Sequence, residues 1–140
     1  MLISTESISL NYVKYSETSI IVKCFTKSDG LKSYLIKGIR SSKKKSLNIG
    51  LFQPLTILEI DANHKNKGNL ESIRSAKISN SYKTIHIDIF KNSIVLFLSE
   101  VLAKSIQEEE KNIELFKFVK KSMIWLDNSE KFSNFHIQFL

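Results

Sequence analysis

The sequence lacks most of the residue patterns that build disulfide, metal or nucleotide sites. Its 140 residues include one cysteine and one proline. A single cysteine, Cys24, excludes an internal disulfide and a multi-cysteine zinc site within these residues. No glycine-rich phosphate loop, Walker lysine motif or paired-histidine motif occurs. Cys24 follows an apolar strand pattern, which predicts a buried structural thiol.

Long hydrophobic runs are also missing. The longest, Ile94 to Leu98, is far shorter than the roughly 20 residues that cross a bilayer. The chain does not begin with a charged-then-apolar signal segment. We therefore expect a cytoplasmic protein.

A catalytic constellation is not evident. The three histidines, His64, His86 and His136, show no ligand spacing, and the acidic residues of the first half are scattered. No two carboxylates stand out as an acid–base pair. The sequence predicts a protein that is not an enzyme and needs no metal or cofactor within these residues.

Acidic residues are absent between Gly30 and Leu58, where every charged residue is a Lys or an Arg. Residues 1–84 hold 14 Lys and Arg against 6 Asp and Glu, a net charge of +8. Residues 85–140 hold 7 and 8, a net charge of −1. This asymmetry indicates an anionic partner for the first part, nucleic acid before a membrane surface.

Hydrophobic residues alternate with period two up to about Ile78, which predicts five short strands. The second strand is expected over Ser19–Thr26. An Asp29-Gly30 turn should join it to the third strand. One helical turn fits between Ser46 and Phe52. The pattern favours a small antiparallel five-stranded barrel of the OB type over residues 1–80, with an SH3-like barrel or an open meander as alternatives.

The period changes to that of a helix after Ser81. The fold class is therefore α+β, with residues 81–140 beginning a helical domain. A first helix over Ile87–Leu102, apolar nearly all round, should be buried. A second helix should begin at Glu108 and a third at Ser129. Because the chain stops on apolar residues, Phe139-Leu140, we interpret it as the N-terminal fragment of a longer protein.

Single-strand binding by a barrel requires cations for phosphates and aromatic faces for bases. Tyr12, Tyr15 and Tyr34 could supply faces, with core packing as the alternative for Tyr12 and Tyr34, whereas Phe25 is predicted to be core. Lys14, Lys27, Arg74 and Lys77 read as ordinary solvated side chains. The predicted DNA-binding residues are Lys23, Lys32, Tyr34, Lys37, Arg40, Lys43, Lys44 and Lys45.

The alternative is a protein-interaction adaptor whose basic loop contacts an acidic partner tail. An adaptor for anionic membranes is a further reading, but the sequence shows no basic amphipathic helix to support it.

Several short segments, in order and spacing, resemble the N-terminal domain of the bacterial recombination mediator family RecO. Later segments are similar to the opening of the helical domain in Bacteroidetes-like members. One departure is Ser16, where the family usually has glycine. The segments are Tyr15–Ile21, Phe25-Thr26 with Gly30, Lys37–Arg40, Leu51–Leu55, Ile94–Glu100 and Asn134–Leu140.

The resemblance implies an OB-fold followed by a helical domain, truncated here before its C-terminal part. It implies binding of single- and double-stranded DNA, strand annealing and, with RecR, loading of RecA on SSB-coated DNA at the nucleoid. The surface that binds the C-terminal tail of SSB in the family is incomplete in this chain. A zinc-binding cysteine cluster found in some members would lie beyond Leu140.

Overall fold

The computed structural model describes residues 2–39, 47–65, 70–106 and 111–129. Five strands are followed by two helices. The strands are β1 (Leu2–Lys14), β2 (Ile20–Thr26), β3 (Gly30–Ile36), β4 (Ile57–Asn63) and β5 (Ser72–Asn80). A 3-10 turn (Ile49–Phe52) precedes β4, and the helices are α1 (Ile89–Ser105) and α2 (Ile113–Asn128).

The strands form one antiparallel sheet in the order β3-β2-β1-β4-β5. The β2–β3 hairpin pairs Thr26 with Gly30, and Gly30 adopts a φ of 73°, which a residue without a Cβ adopts at little cost. β1 is long enough to pair with β2 along its second half and with β4 along its first half. β1 is therefore the central strand, which joins the β2–β3 side of the sheet to the β4–β5 side.

The sheet curls until its two ends meet, but it does not close into a complete barrel. Tyr34 of β3 and Glu71, just before β5, form a single parallel bridge. The Leu35 N–H donates to the Glu71 carbonyl at 3.0 Å, and the Glu71 N–H donates to the Ser33 carbonyl at 2.9 Å. The predicted five-stranded OB-type architecture is confirmed, with closure limited to this bridge in the part of the chain described.

Two hydrophobic clusters fill the two faces of the sheet. The inner one is built on alternate residues of β2 and β4, among them Val22, Cys24 and Leu58, with Phe52 of the 3-10 turn above them. Cys24 is fully buried, as predicted, and burial raises the pKa of its thiol to about 12. The helical turn expected between Ser46 and Phe52 is the 3-10 turn.

The second cluster joins the opposite face of the sheet to the helices. Phe25, buried as predicted, lies with its ring centroid 5.8 Å from that of Phe116 in α2. The end of α2 is fixed by Asp127, whose carboxylate accepts hydrogen bonds from the backbone N–H groups of Lys83, Thr84 and Ile85. These bonds connect the segment after β5 to the helical part.

The two helices differ in part from those that the sequence predicts. α1 was expected to be buried on nearly all sides, and this is wrong for the described residues: Ile89 is 74% exposed and Phe97 is 56% exposed. Burial is confined to its sheet-facing side, which includes Val95 and Leu98. α2 begins at Ile113 with the Asn112 side chain as its N-cap. The predicted start at Glu108 and the third helix after Ser129 lie outside the described residues.

Candidate nucleic-acid interface

A cleft of about 440 Å³ opens where the two ends of the sheet approach each other. It lies between the end of β3 and the start of β5, and its wall includes Lys65, Leu70 and Glu71 from between β4 and β5. The Tyr34–Glu71 bridge ties the two walls together. The lining residues are Leu35, Ile36, Lys37, Leu47, Asn63, Lys65, Leu70, Glu71, Ser72, Ile73 and Arg74.

Cations from three different elements converge on this cleft. Lys37 follows β3, Lys65 follows β4 and Arg74 lies in β5; all three are exposed. Among the lining residues that the structure describes, Glu71 has the one carboxylate, and this residue is only 6% exposed. One of its oxygens accepts the Lys65 N–H at 2.9 Å, and the other lies 4.0 Å from the Lys32 ammonium. The solvent-facing rim of the cleft is therefore cationic.

A buried chain of hydrogen bonds fixes His64, the residue that follows β4. The His64 Nε2 lies 2.6 Å from the Tyr34 hydroxyl, and its Nδ1 lies 2.9 Å from an Asp29 carboxylate oxygen. Tyr34 is fully buried and His64 is 2% exposed. All three groups are satisfied when the phenol donates to Nε2 and the Nδ1–H donates to Asp29.

Burial raises the pKa of the Tyr34 hydroxyl well above its ordinary value, and the nearby Asp29 and Glu71 carboxylates act in the same direction. The phenol therefore keeps its proton and can donate it to His64. The chain Asp29–His64–Tyr34 links the β2–β3 hairpin, the end of β4 and the middle of β3. This linkage places Lys65, the residue after His64, at the mouth of the cleft.

The predicted DNA-binding residues divide into four groups: Lys37, Lys23, the residues outside the described ranges, and the pair Lys32 and Tyr34. Lys37 is exposed in the cleft. Lys23, half-buried on β2, does not line it. Arg40, Lys43, Lys44 and Lys45 lie outside the described residues.

Lys32 and Tyr34 require a correction. The third strand turns their side chains toward the protein interior, where Lys32 is 6% exposed beside Glu71 and Tyr34 bonds to His64. Neither side chain presents a surface to a polynucleotide in this arrangement. Their contribution is to hold the walls of the cleft, and the exposed tyrosines are instead Tyr12 and Tyr15.

Lys65 was not among the predicted DNA-binding residues, and Arg74 was predicted to be an ordinary solvated side chain. Both belong to the cleft only because β5 returns beside β3, a long-range pairing that no local pattern reveals. His64 was noted only as one of three histidines without metal-ligand spacing, because its buried bonds to Tyr34 and Asp29 join residues far apart in sequence.

Other site types find no support in the part of the chain described. Over residues 2–39, 47–65, 70–106 and 111–129, no three His, Cys, Asp or Glu side chains are grouped so that they could hold a metal ion. Neither of the two helices there is long and apolar enough to cross a bilayer.

Comparison with known protein families gives two adjoining matches. The family model described as "Recombination protein O N terminal" matches residues 1–82, and the one described as "Recombination protein O C terminal" matches residues 86–140. The chain belongs to the RecO family. The first match covers the sheet, and the second covers both helices of this RecO-family chain.

Individual relatives agree with this assignment. Over the whole chain, it is 53% identical to the DNA repair protein RecO of Flavobacterium johnsoniae and 51% identical to that of Flavobacterium psychrophilum. It is 39% identical to the RecO protein of Bacteroides fragilis over 141 aligned residues. The RecO-family chain spans about 59% of the length of the two Flavobacterium relatives. The predicted division at residues 80 and 81 remains a prediction.

Proposed function

We propose that this RecO-family chain is the DNA-binding part of a recombination mediator in DNA repair. It binds single- and double-stranded DNA, promotes annealing of complementary strands and, with RecR, assists RecA loading on SSB-coated DNA. It acts without catalysing a covalent step, in the cytoplasm at the nucleoid. The observation that supports this proposal is the convergence of Lys37, Lys65 and Arg74 at one cleft.

The mechanism is electrostatic. Lysine and arginine side chains that neutralise phosphates release the counterions condensed on DNA, and this release favours binding at low salt. Two complementary strands neutralised in this way repel each other less, so the barrier to their pairing falls. The net charge of +8 over residues 1–84 supplies the required cations, and the carboxylate of Glu71 is kept from opposing them by its own hydrogen bond and ion pair.

The partners are part of the same proposal. RecR is expected to act with the DNA-bound protein, and the C-terminal tail of SSB is expected to bind the helical part. The chain spans about 59% of the length of its Flavobacterium relatives, and we expect binding of the SSB tail to require the remaining part of such longer RecO proteins. A longer RecO protein should therefore bind an SSB-tail peptide more tightly than this chain does.

The alternative function is a protein-interaction adaptor whose basic loop contacts an acidic partner tail. One observation favours it: α1 presents exposed apolar side chains, including Leu96 and Phe97. Such exposed groups often mark protein contacts. Fluorescence anisotropy with a labelled oligonucleotide and with an acidic peptide of equal charge separates the two functions.

The deciding experiment is a salt titration of oligonucleotide binding. If about four to six phosphates are contacted, log affinity should fall with log salt at a slope of roughly 0.7 per contact for a single strand. Replacing Lys43, Lys44 and Lys45 together by alanine should weaken binding to all sequences alike and flatten the slope. Tighter binding of the acidic peptide than of the oligonucleotide would favour the adaptor instead.

A further inference from the structure

The cleft has an apolar wall as well as a cationic rim. Leu35 is half-buried, Leu70 is 41% exposed and Ile73 is 9% exposed, and all three line the same space as the cations. A surface that held only phosphates would not need these side chains. From this combination of an apolar wall and a cationic rim, we infer that the cleft receives an unpaired nucleotide of a DNA strand. Its base lies against the apolar wall and its phosphates lie at the rim. This inference rests on the proposed DNA-binding function.

The shape of the cleft supports an unpaired base. Its volume of about 440 Å³ falls within the range of pockets that hold small organic ligands. In a duplex the bases are stacked and paired inside the helix, so their faces are not available to an apolar wall. An unstacked base can enter a pocket and pack between apolar or aromatic side chains. The cleft therefore favours single-stranded over double-stranded DNA.

Two residues at the cleft are already held in place before a ligand arrives. His64 makes hydrogen bonds to the β2–β3 hairpin and to β3, and the backbone of Glu71 makes hydrogen bonds to β3. A site whose walls need no ordering loses less conformational entropy when it binds. Affinity for a single nucleotide unit is correspondingly higher than a mobile loop would give.

An acidic peptide is the main competing ligand, because carboxylates also bind cationic rims. Extended peptides commonly bind by adding a strand to an open sheet edge. At this cleft the backbone groups of Leu35 and Glu71 bond to each other across the two ends of the sheet. The edge is therefore already paired at that point, which favours the nucleotide.

The test combines a change in the DNA with a change in the wall. Binding of the protein to a labelled single strand is compared with binding to the same strand carrying abasic sites, so that the phosphate number is constant. Leu70→Ser removes exposed apolar wall, and Leu96→Ser, at a leucine of α1 that is 50% exposed against 41% for Leu70, is the matched control. A duplex of the same length completes the set, and thermal melting confirms that both variants are folded.

We expect the abasic strand to bind about five- to tenfold more weakly than the normal strand. Leu70→Ser should weaken binding of the normal strand by about three- to tenfold, in line with the loss of an apolar contact. The same variant should change binding of the abasic strand and of the duplex by less than about twofold. Leu96→Ser should bind all three DNAs like the unaltered protein.

Three results would overturn the inference. Equal binding of normal and abasic strands, with the salt dependence intact, would leave DNA binding in place but remove the base-holding role of the cleft. Displacement of the oligonucleotide by an acidic peptide whose own binding is weakened by Leu70→Ser would assign the cleft to a peptide. Absence of binding to every DNA would reject the proposed function and the inference together.

Discussion

Replacing Tyr34 by phenylalanine tests whether the buried hydrogen-bond chain supports the cleft. The substitution keeps the ring and deletes the hydroxyl that lies 2.6 Å from the His64 Nε2. Removing one partner of a buried hydrogen bond costs roughly 1–3 kcal/mol, because the remaining group has already lost its hydration. For a chain of 140 residues this corresponds to a fall in melting temperature of about 3–10 °C.

The assay is urea unfolding followed by circular dichroism, with Tyr12→Phe as the matched control. Tyr12 lies on β1 and is 39% exposed, so its substitution should change the free energy of unfolding by less than about 0.5 kcal/mol. Hydrogen exchange provides a local readout. Relative to the unaltered protein, Tyr34→Phe should speed the exchange of the Lys65 and Glu71 amides more than that of the β1 amides. Equal stability of the two variants would refute the structural role assigned to the chain Asp29–His64–Tyr34.

Two further predictions concern the junction between sheet and helices. Burial alone would raise the pKa of the Asp127 carboxyl, but hydrogen bonds from Lys83, Thr84 and Ile85 outweigh it and hold that pKa below its ordinary value. Asp127→Asn should therefore destabilise the protein at pH 7, by roughly 2–4 kcal/mol, and this difference should shrink as the pH falls below about 4, where the carboxyl of the unfolded chain is protonated before that of the native chain; a pH-independent difference in urea midpoints would contradict it. Phe116→Ala should lower the free energy of unfolding by roughly 3–5 kcal/mol, whereas Phe97→Ala, on the exposed side of α1, should cost far less; similar midpoints for the two would show that α2 does not share a core with the sheet.

The sheet could be predicted because its signals are local. Alternation of apolar and polar residues marks β2, and the Asp29-Gly30 pair marks its hairpin; both depend on residues close together in sequence. The lengths of the strands were harder to predict. β1 extends from Leu2 to Lys14 because it pairs with two different strands, and its own sequence does not reveal this pairing. The exposed side of α1 was also missed, since the helical pattern there is apolar on several sides and does not indicate which of them faces solvent.

The site was predicted less well than the fold, and the reason is its long-range origin. Lys32 and Tyr34 were taken as surface residues because lysine and tyrosine usually keep a polar end in water. Their burial depends on Glu71 and His64, which are more than 25 residues away in sequence and reach β3 only through the curl of the sheet. Lys37 is exposed because it follows the last buried residue of β3, and its assignment to DNA binding stays a prediction.

The proposed function depends on contacts between the cleft cations and DNA phosphates. The direct measurement is the salt dependence of single-strand binding for the variant Lys37→Ala, Lys65→Ala, Arg74→Ala. Its control is Lys77→Ala, Lys117→Ala, Lys121→Ala, which removes the same charge from exposed positions away from the cleft. We predict that the cleft variant lowers the slope of log affinity against log salt by about 2, at roughly 0.7 per lost contact, and that the control leaves the slope nearly unchanged. Equal slopes for the two triple variants would contradict the claim, because net charge alone would then account for binding.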